Sequence, residues 1–227
     1  MLNLLKYDLN IQIRCGYWTA YGVIAVLYIL VIANLPAGIR DEVAVALIFM
    51  DTSVLGLIFV GALVLLEKQQ GVIKSLSVTP LNPDSYLFAK TLSLTMLSAF
   101  VSSLIWIIPR MSFDGTIVIL AGVILSSVVF TLFGLGFAAG ADSFNQFLAR
   151  IFLGTIIFSL SVIPVFIFQN TNWLLFLPTN AALDIFISVT KGSFSVLQIL
   201  DITVLVIWIL IMKLFARKQF NKHNMFL

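Results

Sequence analysis

The chain is poor in charge, in cysteine and in histidine. Of its 227 residues, 10% are Asp, Glu, Lys or Arg and 61% are hydrophobic, whereas soluble domains are roughly 25% charged. The single cysteine, Cys15, cannot close an internal disulfide, and the single histidine, His223, has no Cys or carboxylate cluster beside it in the sequence. These absences exclude a soluble domain and a disulfide scaffold, and we expect no metal site.

Signatures of catalysis are also missing. The sequence has no Gly-x-x-x-x-Gly-Lys-Ser/Thr stretch, so it cannot bind ATP through a P-loop. Its one histidine lies in a polar tail, which excludes the Ser–His pair of an intramembrane protease. We therefore expect no catalytic residue and no cofactor in this chain, and we do not expect it to be an enzyme.

Six apolar runs are present, and each is about as long as a bilayer crossing. The hydrocarbon core is about 30 Å thick and needs about 20 mainly apolar residues per helix. The runs cover residues 17–35, 43–66, 90–109, 116–139, 151–169 and 196–215. They predict an all-α membrane protein with six transmembrane helices. Because no linker or repeat divides the chain, residues 1–227 should form a single transmembrane domain.

The distribution of cations orients these helices. With both termini placed in the cytoplasm, three cations lie outside, namely Arg40, Arg110 and Lys191. Ten lie inside, namely Lys6, Arg14, Lys68, Lys74, Lys90, Arg150, Lys213, Arg217, Lys218 and Lys222. This positive-inside bias predicts a multi-pass protein of the cell membrane with both termini cytoplasmic. Because orientation already explains the excess of cations, no nucleic-acid partner is expected.

Residues 1–16 are typical of a helix that lies along the cytoplasmic interface of the bilayer. One stripe of the helix is apolar, formed by Leu2, Leu5, Leu9 and Ile13. Five polar positions should face water, namely Lys6, Asp8, Asn10, Gln12 and Arg14. The helix would serve either as a plain membrane anchor or as a docking element.

Two connections are long enough to have structure of their own. The cytoplasmic segment 67–81 carries a small apolar knob of Val72, Ile73 and Leu76, and Thr79-Pro80 ends its helix. Such a helix suits docking into another protein, and the alternative is a helix lying on the lipid surface. The outer segment 170–195 is the second long connection.

The residues around this loop resemble a known family. Ile48-Phe49-Met50-Asp51, then Glu67-Lys68 through Thr79-Pro80-Leu81, and Tyr86 to Lys90 resemble type-2 ABC exporter permeases, and most of all the fluoroquinolone-export permease subunits. The resemblance implies that 1–16 is an elbow helix, that 67–81 is a coupling helix in a groove of a cytoplasmic ATPase, and that 170–195 forms outer re-entrant helices. The residues implied to couple the permease to the ATPase are Glu67, Gly71, Val72, Ile73, Leu76, Thr79 and Pro80.

The same resemblance implies the partners. Two copies of a separate ATPase would bind ATP and Mg²⁺, and a second permease copy or a sister permease would complete the pathway through the bilayer. The expected cargo is a drug-like, hydrophobic or amphipathic small molecule.

Asp51 is the acidic residue placed deep inside a predicted span. An ionised Asp at the centre of a membrane helix costs on the order of 2.5–3.5 kcal/mol. It should therefore face the bundle interior or a wet cavity, where Thr52 and Ser53 could share its hydrogen bonding. The sequence leaves open whether Asp51 is structural or lines a transport path.

Three functions remain open on these grounds. The first is the membrane subunit of an ATP-driven exporter. The second is a proton-coupled secondary transporter that uses Asp51, and the third is a membrane scaffold that transports nothing. The structured loop 67–81 favours the first, because neither alternative needs it.

Overall fold

The structure is a computed structural model, and within the residues that it describes every regular element is a helix. It describes residues 2–77, 82–167, 176–192 and 196–223, with side chains at all of these except 2–3, 54, 74, 76–77, 157–167, 191 and 196–197. The helices are α1 Leu2–Arg14, α2 Tyr17–Ala33, α3 Ala37–Val54, α4 Val60–Gln69, α5 Val72–Ser77, α6 Pro83–Ile107, α7 Thr116–Ala139, α8 Phe144–Ile167, α9 Pro178–Lys191 and α10 Val196–Lys222, with a π-helical segment at Leu55–Phe59 between α3 and α4.

Four stretches of helix in the described chain are long and apolar enough to cross a bilayer. They are Ala37–Gln69, Pro83–Ile107, Thr116–Ala139 and Gln198–Lys222. A fifth arises if α1 and α2 count as one broken span, because they meet at an angle of 63°. The predicted span 116–139 has the bounds of α7, whereas residues 168–169 of the predicted span 151–169 lie outside the described residues. The all-helical membrane fold is confirmed, and the count of six spans stays a prediction.

The second predicted span is one long, irregular helix. From Ala37 to Gln69 it has 33 residues, which is about 50 Å at about 1.5 Å per residue and exceeds the hydrocarbon thickness. The π segment interrupts it, and π segments inside α-helices often mark functional sites. A helix of this length must tilt in the bilayer or extend beyond its apolar layer.

Helix α7 is the centre of the bundle. It packs against α3, α4, the π segment, α6, α8, α9 and α10. Small residues let neighbouring backbones approach it closely. A Cβ built on Gly134 would lie 2.7 Å from the carbonyl oxygens of both Gly56 and Leu57 in the π segment. Only glycine fits there without a shift of backbone.

The two ends of the bundle are distinct. At one end, called here the α5 end, α4 gives way to the short helix α5. Gly71 makes this break in a left-handed conformation with φ of 71°, which glycine adopts at little cost. At the opposite end, called the far end, α3 begins, α6 ends and α7 begins. There α9 occupies the described part of 170–195 and packs against α3, α7, α8 and α10.

Candidate functional site

A buried ion cluster lies at the α5 end. Lys90, on α6, places its Nζ 2.6 Å from Oδ1 of Asp8 on α1 and 2.5 Å from Oε1 of Glu67 on α4. Lys90 and Glu67 are each 1% exposed and Asp8 is 2% exposed. Burial of this depth costs free energy for every ion, so the charges must compensate one another. One lysine thus joins three helices.

Tyr86 completes the cluster. It lies one turn before Lys90 on the same face of α6, and its hydroxyl donates to Oε2 of Glu67 at 2.6 Å. Both carboxylate oxygens of Glu67 are therefore bonded, one to Lys90 and one to Tyr86. We call Asp8, Glu67, Tyr86 and Lys90 the Lys90 cluster.

The face of α1 that carries Asp8 packs against the bundle. Gln12, one turn after Asp8, donates from Nε2 to the Ser93 hydroxyl at 2.9 Å, and this hydroxyl donates to the carbonyl of Lys90 at 3.0 Å. Asp8 and Gln12 are both buried. The prediction that these two side chains face water was wrong, because α6 supplies polar partners that a periodicity argument does not contain. Lys6, Asn10 and Arg14 are exposed as predicted, and so is Ile13 of the apolar stripe.

Lys68 makes a second connection beside the first. Its Nζ donates to the carbonyls of Ala138, Ala139 and Ala141, at 3.2, 2.7 and 2.9 Å. These carbonyls belong to the last residues of α7 and the turn after it, where helix carbonyls lack partners within the helix and a cation is favourable. Lys68 therefore fixes the end of α4 to the central helix.

Four of the predicted coupling residues, Glu67, Gly71, Val72 and Ile73, lie at these two connections or within a few residues of them. Glu67 is in the last turn of α4 and not in the short helix, because the turn at Gly71 divides segment 67–81. In α5, Ile73 is buried within the chain and Val72 is half-buried. The side chain at 76 and the residues Thr79 and Pro80 lie outside the described part of the chain. The structure thus brings Glu67 together with Asp8, Tyr86 and Lys90.

The arrangement makes the end of α4 a mechanical junction. Glu67 is bonded to Tyr86 and Lys90 of α6, and Lys90 is bonded in turn to Asp8 of α1. The next residue, Lys68, is bonded to the end of α7. Glu67 and Lys68 both lie within a few residues of the start of α5 at Val72. The end of α4 is therefore tied to α1, α6 and α7 at a point close in sequence to α5.

Asp51 lies in the interior of the bundle. It is 5% exposed, and its Oδ2 is buried without a hydrogen-bond partner among the described residues. Thr52 and Ser53 donate instead to carbonyls of their own helix, those of Ile48 and Phe49, at 2.8 Å each. The expectation that they share the hydrogen bonding of Asp51 was wrong, because the helix backbone offers nearer acceptors.

A cavity of about 620 Å³ opens at the far end between α3, α6, α7 and α9. Arg110 lies in its wall with its Cζ 3.2 Å from the centre of the Trp106 ring and its Nη2 2.5 Å from Oδ1 of Asp41. Burial lowers the pKa of Arg110 from its ordinary value, and the carboxylate of Asp41 opposes that shift. The indole Nε1 of Trp106 donates to the carbonyl of Asp114 at 2.9 Å.

Comparisons with known proteins agree with the membrane fold. A family model described as the fluoroquinolones export permease protein family matches residues 1–225. Two curated relatives are fluoroquinolones export permease proteins of Mycobacterium tuberculosis, one from strain CDC 1551 / Oshkosh and one from strain ATCC 25618 / H37Rv. Each is 28% identical to this chain over 144 residues. The alignment covers 62% of this chain and 61% of the length of each relative.

Proposed function

The chain belongs to the fluoroquinolones export permease protein family, and from that membership we propose that it is the membrane-spanning subunit of an ATP-driven (ABC) exporter. Segment 67–81 docks against a separate cytoplasmic ATPase, two copies of which bind ATP and Mg²⁺. A second permease, identical or a sister chain, faces this one across the pathway. The cargo is a fluoroquinolone, the class that the relatives' names print, or another drug-like amphipathic molecule.

The observation that carries this proposal is the junction at the end of α4. A permease without a P-loop depends on another chain for energy, so it needs an element that receives movement and a rigid link that passes it on. Helix α5 is short and bounded by Gly71, which suits a receiving element. The Lys90 cluster and Lys68 supply the link, since they join α4 to three other helices by charged hydrogen bonds.

The helix between the two ends has a place where it can bend. The π segment Leu55–Phe59 interrupts the helical pattern midway along the run Ala37–Gln69. A push on α5 would act on the end of α4 at Glu67 and Lys68. The strain would then reach the π segment through α4. Movement at the ATPase would in this way alter packing in the middle of the membrane.

A proton-coupled secondary transporter is the second candidate, and one observation favours it. Asp51 is buried in the bundle with Oδ2 unbonded to any described residue. That candidate gives no reason for the junction beside α5, since proton coupling needs no contact with a second chain.

Cross-linking from α5 to the co-expressed ATPase tests the docking. Cys15 is exposed and is first changed to Ser. Ser75 is exposed on α5, so Ser75→Cys should form a cross-linked product with the ATPase when a short thiol-to-amine reagent is added to the membrane complex. The control is Met111→Cys, because Met111 is 93% exposed at the far end.

The two variants compare cross-linking from α5 with cross-linking from an exposed position at the opposite end of the bundle. We expect a cross-linked band with Ser75→Cys and none with Met111→Cys. Equal cross-linking from both positions, or none from Ser75→Cys in a complex that co-purifies intact, would show that α5 does not contact the ATPase.

A further inference from the structure

The far-end cavity collects cations that are scarce on that side of the molecule. The positive-inside distribution places only Arg40, Arg110 and Lys191 outside. Of these three, Arg40 and Arg110 both line the cavity. Membrane orientation disfavours cations at this end. Their gathering at one cavity therefore calls for a local reason.

The two arginines differ in how their charges are balanced. Arg110 forms an ion pair with Asp41 and stacks on Trp106. Arg40 forms no ion pair with a described residue. Its Nη2 donates to the carbonyls of Leu35 and Ala33, at 3.1 and 3.5 Å, while its Nε is buried without a hydrogen-bond partner in the described chain. Among the described residues, the positive charge of Arg40 thus has no ion-pair partner.

The surroundings of Arg40 increase the positive potential. It lies in the first turn of α3, where the helix dipole is positive and an anion is the favoured ligand. The charge of Arg110 also acts on that of Arg40 through space, since the two repel each other. An anionic group placed between them would relieve this repulsion and would accept a charge-assisted hydrogen bond from Arg40.

The cavity also contains negative charge and apolar surface. Asp41 and Asp114 line it together with Val118 and Val189. A ligand that presents an anion to Arg40 can therefore place a cation near a carboxylate and an apolar body on the valines. The volume of about 620 Å³ lies in the usual range for small-molecule sites, roughly 300–1,000 Å³.

We propose that the far-end cavity binds a zwitterionic amphiphile and that Arg40 binds its anionic group. Two sources have this chemistry, an exported cargo molecule and a lipid with a zwitterionic headgroup. The cargo version rests on the proposed function, whereas the lipid version does not.

Binding of norfloxacin and of its ethyl ester to the purified chain tests the cargo version. Norfloxacin carries a carboxylate and a basic amine, and the ester lacks the carboxylate. In nanodiscs of phosphatidylglycerol without ATP, Arg40→Gln should weaken norfloxacin binding by about tenfold or more and leave ester binding unchanged. Arg40→Lys should keep most of the preference for the acid, because it keeps the charge.

The matched control is Arg14→Gln, the same change at an exposed arginine of α1. It should bind both compounds as the wild type does. If Arg40→Gln weakens acid and ester alike, Arg40 shapes the cavity and does not recognise an anion, and the proposal is overturned.

A second arm tests the lipid version. Phosphatidylethanolamine that co-purifies with the chain is counted by mass spectrometry, and Arg40→Gln should reduce it several-fold if a lipid headgroup occupies the site. If Arg40→Gln binds norfloxacin and retains lipid as the wild type does, the proposed site is overturned. Export by the whole complex is measured separately. If the complex exports its cargo but Arg40→Gln changes neither norfloxacin binding nor lipid retention, only the proposed site is rejected. If Arg40→Gln reduces lipid retention but the wild-type complex exports nothing, only the proposed function is rejected.

Discussion

At the scale of single residues, the charge of Lys90 decides whether the α5 end holds together. Two carboxylates, those of Asp8 and Glu67, converge on it in a region from which water is excluded. A buried ion pair often adds little net stability, but removal of one partner leaves an uncompensated buried charge. The cluster is therefore a sensitive point for stability.

Lys90→Met should destabilise the chain strongly. Met keeps the approximate length of the side chain but leaves Asp8 and Glu67 facing each other without a cation. The expected loss is about 3–5 kcal/mol, measured as a lower unfolding temperature in detergent. The triple change Lys90→Met, Asp8→Asn and Glu67→Gln removes every charge and should recover much of the loss. A single variant as stable as the wild type would contradict the assignment of Lys90 as the common partner.

The sequence showed part of this site and not its centre. Segment 67–81 stood out because of its loop pattern, whereas Glu67, Tyr86 and Lys90 were singled out through a family resemblance. Lys90 was counted as an ordinary cytoplasmic cation at the start of a span, and Asp8 as a water-facing residue. Their contact joins positions 82 residues apart, and local periodicity carries no information on a pair so distant. The available signal was a lysine at the start of an apolar run, together with an unpaired acid in another predicted helix.

At the scale of elements, the close contact between α7 and the π segment leaves no room for a side chain at Gly134. Gly134→Ala would place a methyl group 2.7 Å from two backbone oxygens, so the helices must move apart. We expect a loss of about 1–3 kcal/mol, measured by thermal unfolding. Gly22→Ala is the control, since nothing lies within 4 Å of a Cβ there. Equal stability of the two variants would show that the helices do not approach as closely as described.

Helix α1 buries the face that carries Leu4, Asp8 and Gln12. Ile13 of its predicted apolar stripe is exposed, which differs from the simple surface-helix picture. In a chain with Cys15→Ser, single cysteines at positions 6 and 10 should react quickly with a membrane-impermeant maleimide applied to the α5 end. Cysteines at 4 and 12 should react at least about tenfold more slowly, because Leu4 and Gln12 are buried. Similar rates at all four positions would mean that α1 is not held against α6 by its polar face.

Periodicity and length were enough to predict most helices, because each apolar run is set by local sequence and the bilayer thickness. The run 116–139 became α7 with the same bounds. The interruption at Leu55–Phe59, a segment that packs against α7, was not predicted from periodicity. The break at Gly71, which separates Glu67 from α5, was not predicted either, because segment 67–81 was treated as one helix.

At the scale of the whole molecule, the chain has the short helix α5 at one end, a cavity lined by both signs of charge at the other, and α7 as the packed centre between them. Membership in an export permease family and the lack of a P-loop together require an external source of energy under the proposed function. The open question at this scale is which source drives transport, a partner ATPase or a proton gradient acting on Asp51.

Transport in proteoliposomes that contain the chain with its ATPase answers that question most directly, with norfloxacin as cargo. Uptake is measured with and without ATP, with and without an imposed pH gradient, in the wild type and in Asp51→Asn, which keeps size and hydrogen bonding but removes the charge. We predict ATP-dependent transport in both proteins and none from the pH gradient alone. Wild-type transport that persists without ATP, follows the pH gradient and vanishes in Asp51→Asn would contradict the ATP-driven exporter and support a proton-coupled transporter.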